Sequence, residues 1–318
     1  MIDILVTGGA GFIPSCLTDE LIKDPNFNVV AVDNFLTGHP LKISKSEYDN
    51  YQFIEADCND FAQMKAIFDQ HTFDYVFHYA AVVGVKRTTD HPLMVLEDIE
   101  GLKNIFKLST EAKVKRIFFS SSSEVYGEPV EMPQNEKTTP LNSKLPYAIV
   151  KNMGEAYCRS YFHEFGLNYT IFRFFNTFGP KQSPDFVMSK FIKQALNNQD
   201  ITIYGDGSQT RTFCYIDDNI EATVKALKED KFVNDVINIG NDKETSILKL
   251  AQTIIELTDS KSKIVFLPPL KEGDMSRRQP NAQNIRGLLN REFLPLKEGI
   301  QKVITAEIYK ELNAVNKA

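Results

Sequence analysis

Cysteine is scarce in this 318-residue chain, and the four present (Cys16, Cys58, Cys158 and Cys214) are widely spaced with no CxxC pair. That spacing argues against a structural metal site or a disulfide framework and points to reduced thiols in a cytoplasmic protein. A basic excess is lacking too. The formal net charge is −6, and no Lys/Arg cluster stands out, so binding of nucleic acid through phosphate contacts is not expected. Long apolar runs are missing, and none approaches the ~20 residues needed to span a bilayer. The first strand-like run begins at Ile2, ahead of which no signal peptide is expected. No internal repeat or low-complexity tract occurs. What remains is an ordinary globular composition, long enough for one large or two fused domains.

Short apolar runs alternate with longer amphipathic segments through the first half. Strands are expected at 2–7, 28–33, 51–55, 74–79, 115–120 and 169–174, and helices at 12–23, 61–68, 92–112 and 147–165. Nearly continuous apolar strands separated by helices predict a parallel sheet covered on both faces, a doubly wound α/β fold of Rossmann type. Beyond Gly179 the rhythm changes to loops rich in Pro, Gly, Asp and Ser (179–185, 204–209, 268–281), separated by helices at 187–197 and 248–257. The expected division is therefore a Rossmann domain over 1–178 and a smaller, loop-rich C-terminal substrate lobe over 179–318. The chain is expected to cross back to the first domain around 212–240.

The first strand runs into Thr7-Gly8-Gly9-Ala10-Gly11-Phe12-Ile13-Pro14. Glycines between a strand and a helix permit a tight turn and a close approach of backbone to a pyrophosphate, which then sits at the positive end of the helix. Asp33 ends the second strand, about twenty residues further on. A carboxylate there accepts hydrogen bonds from a ribose diol and repels a 2′-phosphate, which favours NAD over NADP. The plainer alternative for Asp33 is a solvated strand-end carboxylate. The third glycine of the usual pattern is replaced by Pro14, which a helix tolerates in its first turn because the missing N–H has no intrahelical partner there.

Tyr147 and Lys151 are four residues apart at the start of an amphipathic segment, which places them on one helix face. An ammonium beside a phenol favours phenolate, so the pair can supply a base near neutral pH. The fifth expected strand runs into Ser120-Ser121-Ser122-Ser123-Glu124-Val125-Tyr126-Gly127, which brings hydroxyls to the carboxyl edge of the sheet, where open α/β folds bind ligands.

TGGAGFI, Asp33, Tyr79-Ala80-Ala81, SSSSEVYG and YAIVK occur in that order, followed by RFFNTFGP at 173–180, YGDGSQTR at 204–211 and Arg277-Arg278-Gln279-Pro280. In these motifs, spread over nearly the whole chain, the sequence resembles the extended short-chain dehydrogenase/reductases, the nucleotide-sugar epimerase/dehydratase family. The resemblance implies that NAD is held by Gly8, Gly11, Phe12, Ile13, Asp33, Asn34, Asp57, Ala80, Ala81, Tyr147 and Lys151, with Asp57 near the adenine. It implies that Tyr147 takes the proton of a sugar C4 hydroxyl, that Lys151 holds the nicotinamide ribose and tunes Tyr147, and that Ser122 shares the hydroxyl. Val83, Lys86, Ser123, Asn176, Val187, Tyr204, Arg211 and Arg278 match substrate positions, Asn176 and Arg211 those that grip the diphosphate. Arg278 matches either a diphosphate or a sugar position. No metal is implied. The segments 92–112 and 147–165 resemble helices that pair two subunits, so a homodimer is expected. Asp98 stands where many relatives carry asparagine.

All members of the family begin by oxidising C4 and differ in the later steps. Simple 4-epimerases resembling this chain usually have a small or neutral residue two positions after the serine; this chain has Glu124, a carboxylate able to move a proton at C5. Dehydratases of the dTDP-glucose type carry Asp-Glu where this chain has Ser123-Glu124, the pair found in UDP-glucuronate decarboxylases and also in GDP-mannose dehydratases. The segment 82–87 (VVGVKR) differs from the decarboxylases. The leading expectation is a UDP-glucuronate decarboxylase-like reaction, with a 4-epimerase second and a 4,6-dehydratase third. A non-catalytic dinucleotide sensor is the rival from another class; such proteins often lose the tyrosine or lysine kept here.

Overall fold

The computed structural model describes residues 1–45, 48–269 and 277–315, excluding the side chains of Val85, Lys86, Thr89 and Val315. In chain order the first strands are β1 Ile2–Thr7, β2 Phe27–Asp33, β3 Tyr51–Glu55, β4 Tyr75–His78, β5 Arg116–Ser122 and β6 Asn168–Phe174. Then come β7 Thr177–Phe178, β8 Ile201–Tyr204, β9 Thr210–Thr212, β10 Cys214–Tyr215, β11 Asp235–Ile239, β12 Glu244–Ser246, β13 Ile264–Leu267 and β14 Arg277–Arg278. The helices up to Lys228 are α1 Phe12–Leu21, α2 Phe61–Gln70, α3 Val85–Asp90, α4 Pro92–Leu96, α5 Asp98–Glu111, α6 Pro146–Phe165, α7 Val187–Leu196 and α8 Ile216–Lys228.

The chain forms two compact units. The first comprises Met1–Val125, Leu141–Phe174 and Thr223–Ile237. It is built on a seven-stranded sheet of order β11-β6-β5-β4-β1-β2-β3, in which β1 to β6 pair parallel. Helices cover both faces of such a sheet, so its strands are apolar on both sides, and all seven residues of β5 are buried. Phe77, Phe118 and Phe172 stack across β4, β5 and β6, with ring centroids 4.3 and 5.9 Å apart. The order reverses at β1, where β2 lies on one side and β4 on the other, and ligands bind outside the carboxyl ends of strands at such a switch point. The helix expected over 92–112 is interrupted at Glu97, giving α4 and α5.

The second unit comprises Tyr126–Pro140, Phe175–Ala222 and Asn238–Ala318. Among its described residues it carries three small sheets: β7 with β10, β8 with β13, and β12-β9-β14. The boundary expected at 178 thus falls after Phe174, and 126–140 groups with the second unit. Hydrogen bonds account for that grouping. The Tyr126 hydroxyl donates to Asn238 Oδ1 at 2.7 Å, and Gln134 exchanges backbone bonds with Gln279 and Asn281 on either side of Pro280. Two segments expected as loops contribute strands: Tyr204 ends β8, and Arg277–Arg278 form β14. The rest of the expected loop 268–281 lies partly outside the described residues.

Candidate active site

The glycine loop closes tightly after β1. Gly11 N–H donates to the Gly8 carbonyl at 2.7 Å and Gly9 N–H to that of Val32 at 2.9 Å. Gly8 has φ +77°, and a Cβ there would lie 3.0 Å from the backbone N and Cα of Ala80, so the loop packs directly on the end of β4. Gly11 caps α1 in an extended conformation, with no side-chain cap and no acidic residue in the first turn. The first-turn N–H groups of Phe12 and Ile13 are therefore left for an anion, while Pro14, third in the helix, takes one donor away. Asp33 is 8% exposed; its Oδ2 accepts the Ala10 N–H at 3.0 Å and its Oδ1 that of Phe35 at 2.7 Å. Burial pushes its carboxyl above the ordinary range, against the pull of those two N–H groups and of Lys42. Each oxygen keeps a lone pair for a diol. Asn34 is exposed, and its Oδ1 accepts the Leu36 N–H of its own turn. A bare helix start, a glycine that backbone crowds, and a strand-end carboxylate already oriented fit a dinucleotide.

The end of β4 lies beside this loop. Thr7 Oγ1 accepts the N–H groups of Tyr79 and Ala80 at 3.0 and 3.1 Å and lies 2.9 Å from His78 Nδ1. Burial, then the Lys151 charge, push the His78 pKa down to about 3, so the ring is neutral; Thr7 donates to Nδ1, which places the ring proton on Nε2. Asp98 at the start of α5 accepts the Val82 N–H at 2.8 Å, a bond that an asparagine oxygen could equally accept. Burial raises its pKa to about 6, against Val82 and Lys151 and with help from Asp57 and Glu97. Asp57 Oδ1 accepts the Asn59 N–H at 2.8 Å. Val83 is half-buried, and its carbonyl accepts a bond from Arg87 at 2.8 Å. The Lys86 side chain lies outside the described residues.

Strand β5 and helix α6 supply the reactive groups. Lys151 is 4% exposed, and its Nζ donates to Ser120 Oγ at 3.2 Å while lying 5.8 Å from the centre of the Tyr147 ring. Burial lowers the Lys151 pKa to about 8, and Asp98 opposes that fall. Ser122 is buried, and its Oγ accepts the Glu124 N–H at 3.1 Å. Ser123 and Glu124 lie in the 3-10 turn Ser123–Tyr126, with Ser123 buried and Glu124 half-buried. The sequence singles out Tyr147, Lys151, Ser122 and Glu124 but not Thr7, His78 or Ser120, which are tied into the site by partners distant in the chain.

In the second unit, Arg211 of β9 and Arg278 of β14 stand side by side in parallel register, 9% and 6% exposed. Two buried arginines at paired positions of adjacent strands suit a group of multiple negative charge. Asn176 precedes β7, and its buried Nδ2 has no hydrogen-bond partner among the described residues. Tyr204 is partly exposed at the end of β8, with Lys190 Nζ 5.8 Å from its ring centre; Val187 opens α7 and is half-buried. Among the described residues no group of His, Cys, Asp or Glu could hold a metal ion, and no helix is long and apolar enough to cross a membrane.

The fold is of Rossmann type, with Lys151 hydrogen-bonded to Ser120 and facing the Tyr147 ring, and with a glycine loop between β1 and α1 that fits a dinucleotide. The model of the NAD dependent epimerase/dehydratase family matches residues 4–240, and the chain belongs to that family. It is accordingly an NAD-dependent enzyme. It is 38% identical over 317 residues to the UDP-N-acetyl-alpha-D-glucosaminuronate decarboxylase of Bacillus cytotoxicus, covering 93% of this chain and 96% of that protein. It superimposes with a TM-score of 0.90 and 32% identity on a UDP-glucose 4-epimerase of Thermotoga maritima solved with UDP-glucose, covering 98% and 100% of the two chains. It also matches the UDP-glucuronic acid 4-epimerase of Bacillus cereus in complex with UDP-glucuronic acid and NAD, with a TM-score of 0.87, 31% identity, and coverage of 98% and 100%.

Proposed function

We propose that the chain modifies a nucleotide-diphosphate sugar through transient oxidation at C4, and that it decarboxylates a UDP-hexuronate. The observation that carries the second part is Glu124 in the turn directly after Ser122, preceded by Ser123 where a dehydratase of the dTDP-glucose type would have an aspartic acid. The likeness to a UDP-N-acetylglucosaminuronate decarboxylase supports it.

Gly8, Gly11, Phe12, Ile13, Asp33, Asn34, Asp57, Ala80 and Ala81 hold the cofactor, with Lys151 at its nicotinamide ribose. When bound, NAD⁺ supplies a hydride acceptor that can return the hydride within the same cycle. Tyr147, as phenolate, removes the C4 hydroxyl proton, with Ser122 hydrogen-bonded to that oxygen. The buried Lys151 ammonium stabilises the phenolate. A hexuronate that is a ketone at C4 is a β-keto acid and loses CO₂ without an acid at C6. Loss of CO₂ leaves an enolate over C4 and C5, and Glu124 delivers the proton that C5 takes up before the hydride returns to C4; Ser123 lies beside it. In the second unit, Asn176, Arg211 and Arg278 hold the diphosphate, and Val187 and Tyr204 the nucleoside; Val83 and Lys86 are assigned to the sugar.

A 4-epimerase is the second reading, favoured by the two structural neighbours of that activity. Product analysis separates the readings. Incubation with UDP-glucuronate and its 2-acetamido counterpart should give loss of CO₂, and Glu124→Gln should nearly abolish formation of the decarboxylated nucleotide sugar. An unchanged mass with inverted C4, insensitive to Glu124→Gln, supports the epimerase. The protein is further proposed to act in the cytoplasm, as a homodimer formed through α4, α5 and α6, where Leu93, Ile149 and Phe165 are exposed.

A further inference from the structure

Glu155 is a completely buried carboxylate that the proposed chemistry does not use. It lies on α6 one turn beyond Lys151 and two beyond Tyr147. Four hydrogen bonds converge on it. Ser121 Oγ of β5 donates to Oε1 at 2.7 Å, Arg173 Nε of β6 to Oε1 at 2.8 Å, Arg173 Nη2 to Oε2 at 2.7 Å, and Arg159 Nη2 to Oε2 at 2.9 Å. Arg173 is itself buried, whereas Arg159 is largely exposed. One residue earlier, a Cβ on Gly154 would run into the Phe119 ring, so α6 rests directly on β5 here. One residue before Ser121, Ser120 receives the Lys151 ammonium.

A buried ion pair adds little net stability compared with apolar groups of the same size; its better-attested use is to fix register. The two-pronged Arg173 grip is directional, so it constrains both the rotation and the translation of α6 relative to β6, and Ser121 adds the same constraint relative to β5. Lys151 projects from the adjacent turn of the same helix. A displacement of about 1 Å at such a group is enough to cost about 10²-fold in rate.

We propose that Glu155 is a positioning residue for the Tyr147/Lys151 pair: gripped by Arg173 and Ser121, it locks α6 in the register that keeps Lys151 at Ser120. This rests on the assignment of Lys151 to the cofactor.

The test is a coupling measurement on the full chain. NAD⁺ dissociation constants and thermal midpoints are measured for the parent, Glu155→Leu/Arg173→Met, Lys151→Met and the triple variant. The double variant replaces the ion pair with apolar groups and so strands no charge. It should keep a midpoint near that of the parent yet bind NAD⁺ about tenfold more weakly. Lys151→Met should lose at least as much, and the triple variant no more than Lys151→Met alone. Ser121→Ala should show a several-fold loss in the same direction, and it decides the question if the double variant does not fold. Parent-like affinity in the deciding variant, or losses that simply add, would overturn the positioning role. Parent-like affinity in Lys151→Met would instead overturn the assignment beneath it, so the two failures are distinguishable.

Discussion

At the scale of single residues, the site depends on charges held in a low-polarity surround. A lysine ordinarily titrates near pH 10.5, but burial brings the pKa of Lys151 down to about 8. Linkage sets the sign of the consequence. Between about pH 8 and 10.5 the unfolded chain holds a proton that the folded chain has released, so stability rises with pH across that window. Thermal melts of NAD-free protein should show this rise, and Lys151→Met should flatten it while raising the midpoint at pH 7. Activity has the opposite dependence, because the ammonium is needed beside Tyr147: turnover should fall as pH passes upward through about 8. Asp98→Asn keeps an acceptor for the Val82 N–H but removes the charge that supports the ammonium. It should therefore move the alkaline limb of the kcat profile to lower pH, and an unmoved limb would count against the electrostatic link.

At the scale of elements, the close seat of α6 on β5 at Gly154 is the feature most sensitive to substitution. Gly154→Val would drive a branched side chain into the Phe119 ring, and the strain should cost about 1–3 kcal/mol, visible as a lowered thermal midpoint. The main strands and α6 were legible in the sequence because each is a continuous apolar run or a sustained 3.6-residue pattern bounded by glycine or proline. The strands of the second unit were not. Elements of two or three residues such as β7, β10 and β14 are too short to show any period, and their pairing is set by partners far along the chain. Helix α8 went unnoticed for a different reason: it begins directly after β10 with no turn residue between them. The placement of 126–140 depends on bonds from Tyr126 and Gln134 to residues more than a hundred positions away. The candidate site divides in the same way. Tyr147 and Lys151 share a helix face and so announce themselves, whereas Ser120 and Glu155 acquire meaning only once β5, β6 and α6 are packed.

At the scale of the whole molecule, exposed helix faces bear on assembly and Glu124 on the course of the reaction. Leu93, Ile149 and Phe165 are large apolar side chains left exposed on α4 and α6. If these helices pair two copies, Leu93→Lys with Phe165→Lys should halve the mass measured by light scattering without unfolding the chain; a parent of monomer mass would refute the dimer. The central claim is that a family-wide oxidation at C4 is turned here, by Glu124, toward loss of a carboxylate. Mass spectrometry of the products formed from UDP-glucuronate and its 2-acetamido counterpart tests it most directly. The account predicts a UDP-pentose or its 2-acetamido equivalent, lighter than its substrate by one CO₂, with no net consumption of NAD⁺. A product of unchanged mass, or no reaction with either uronate, would contradict it.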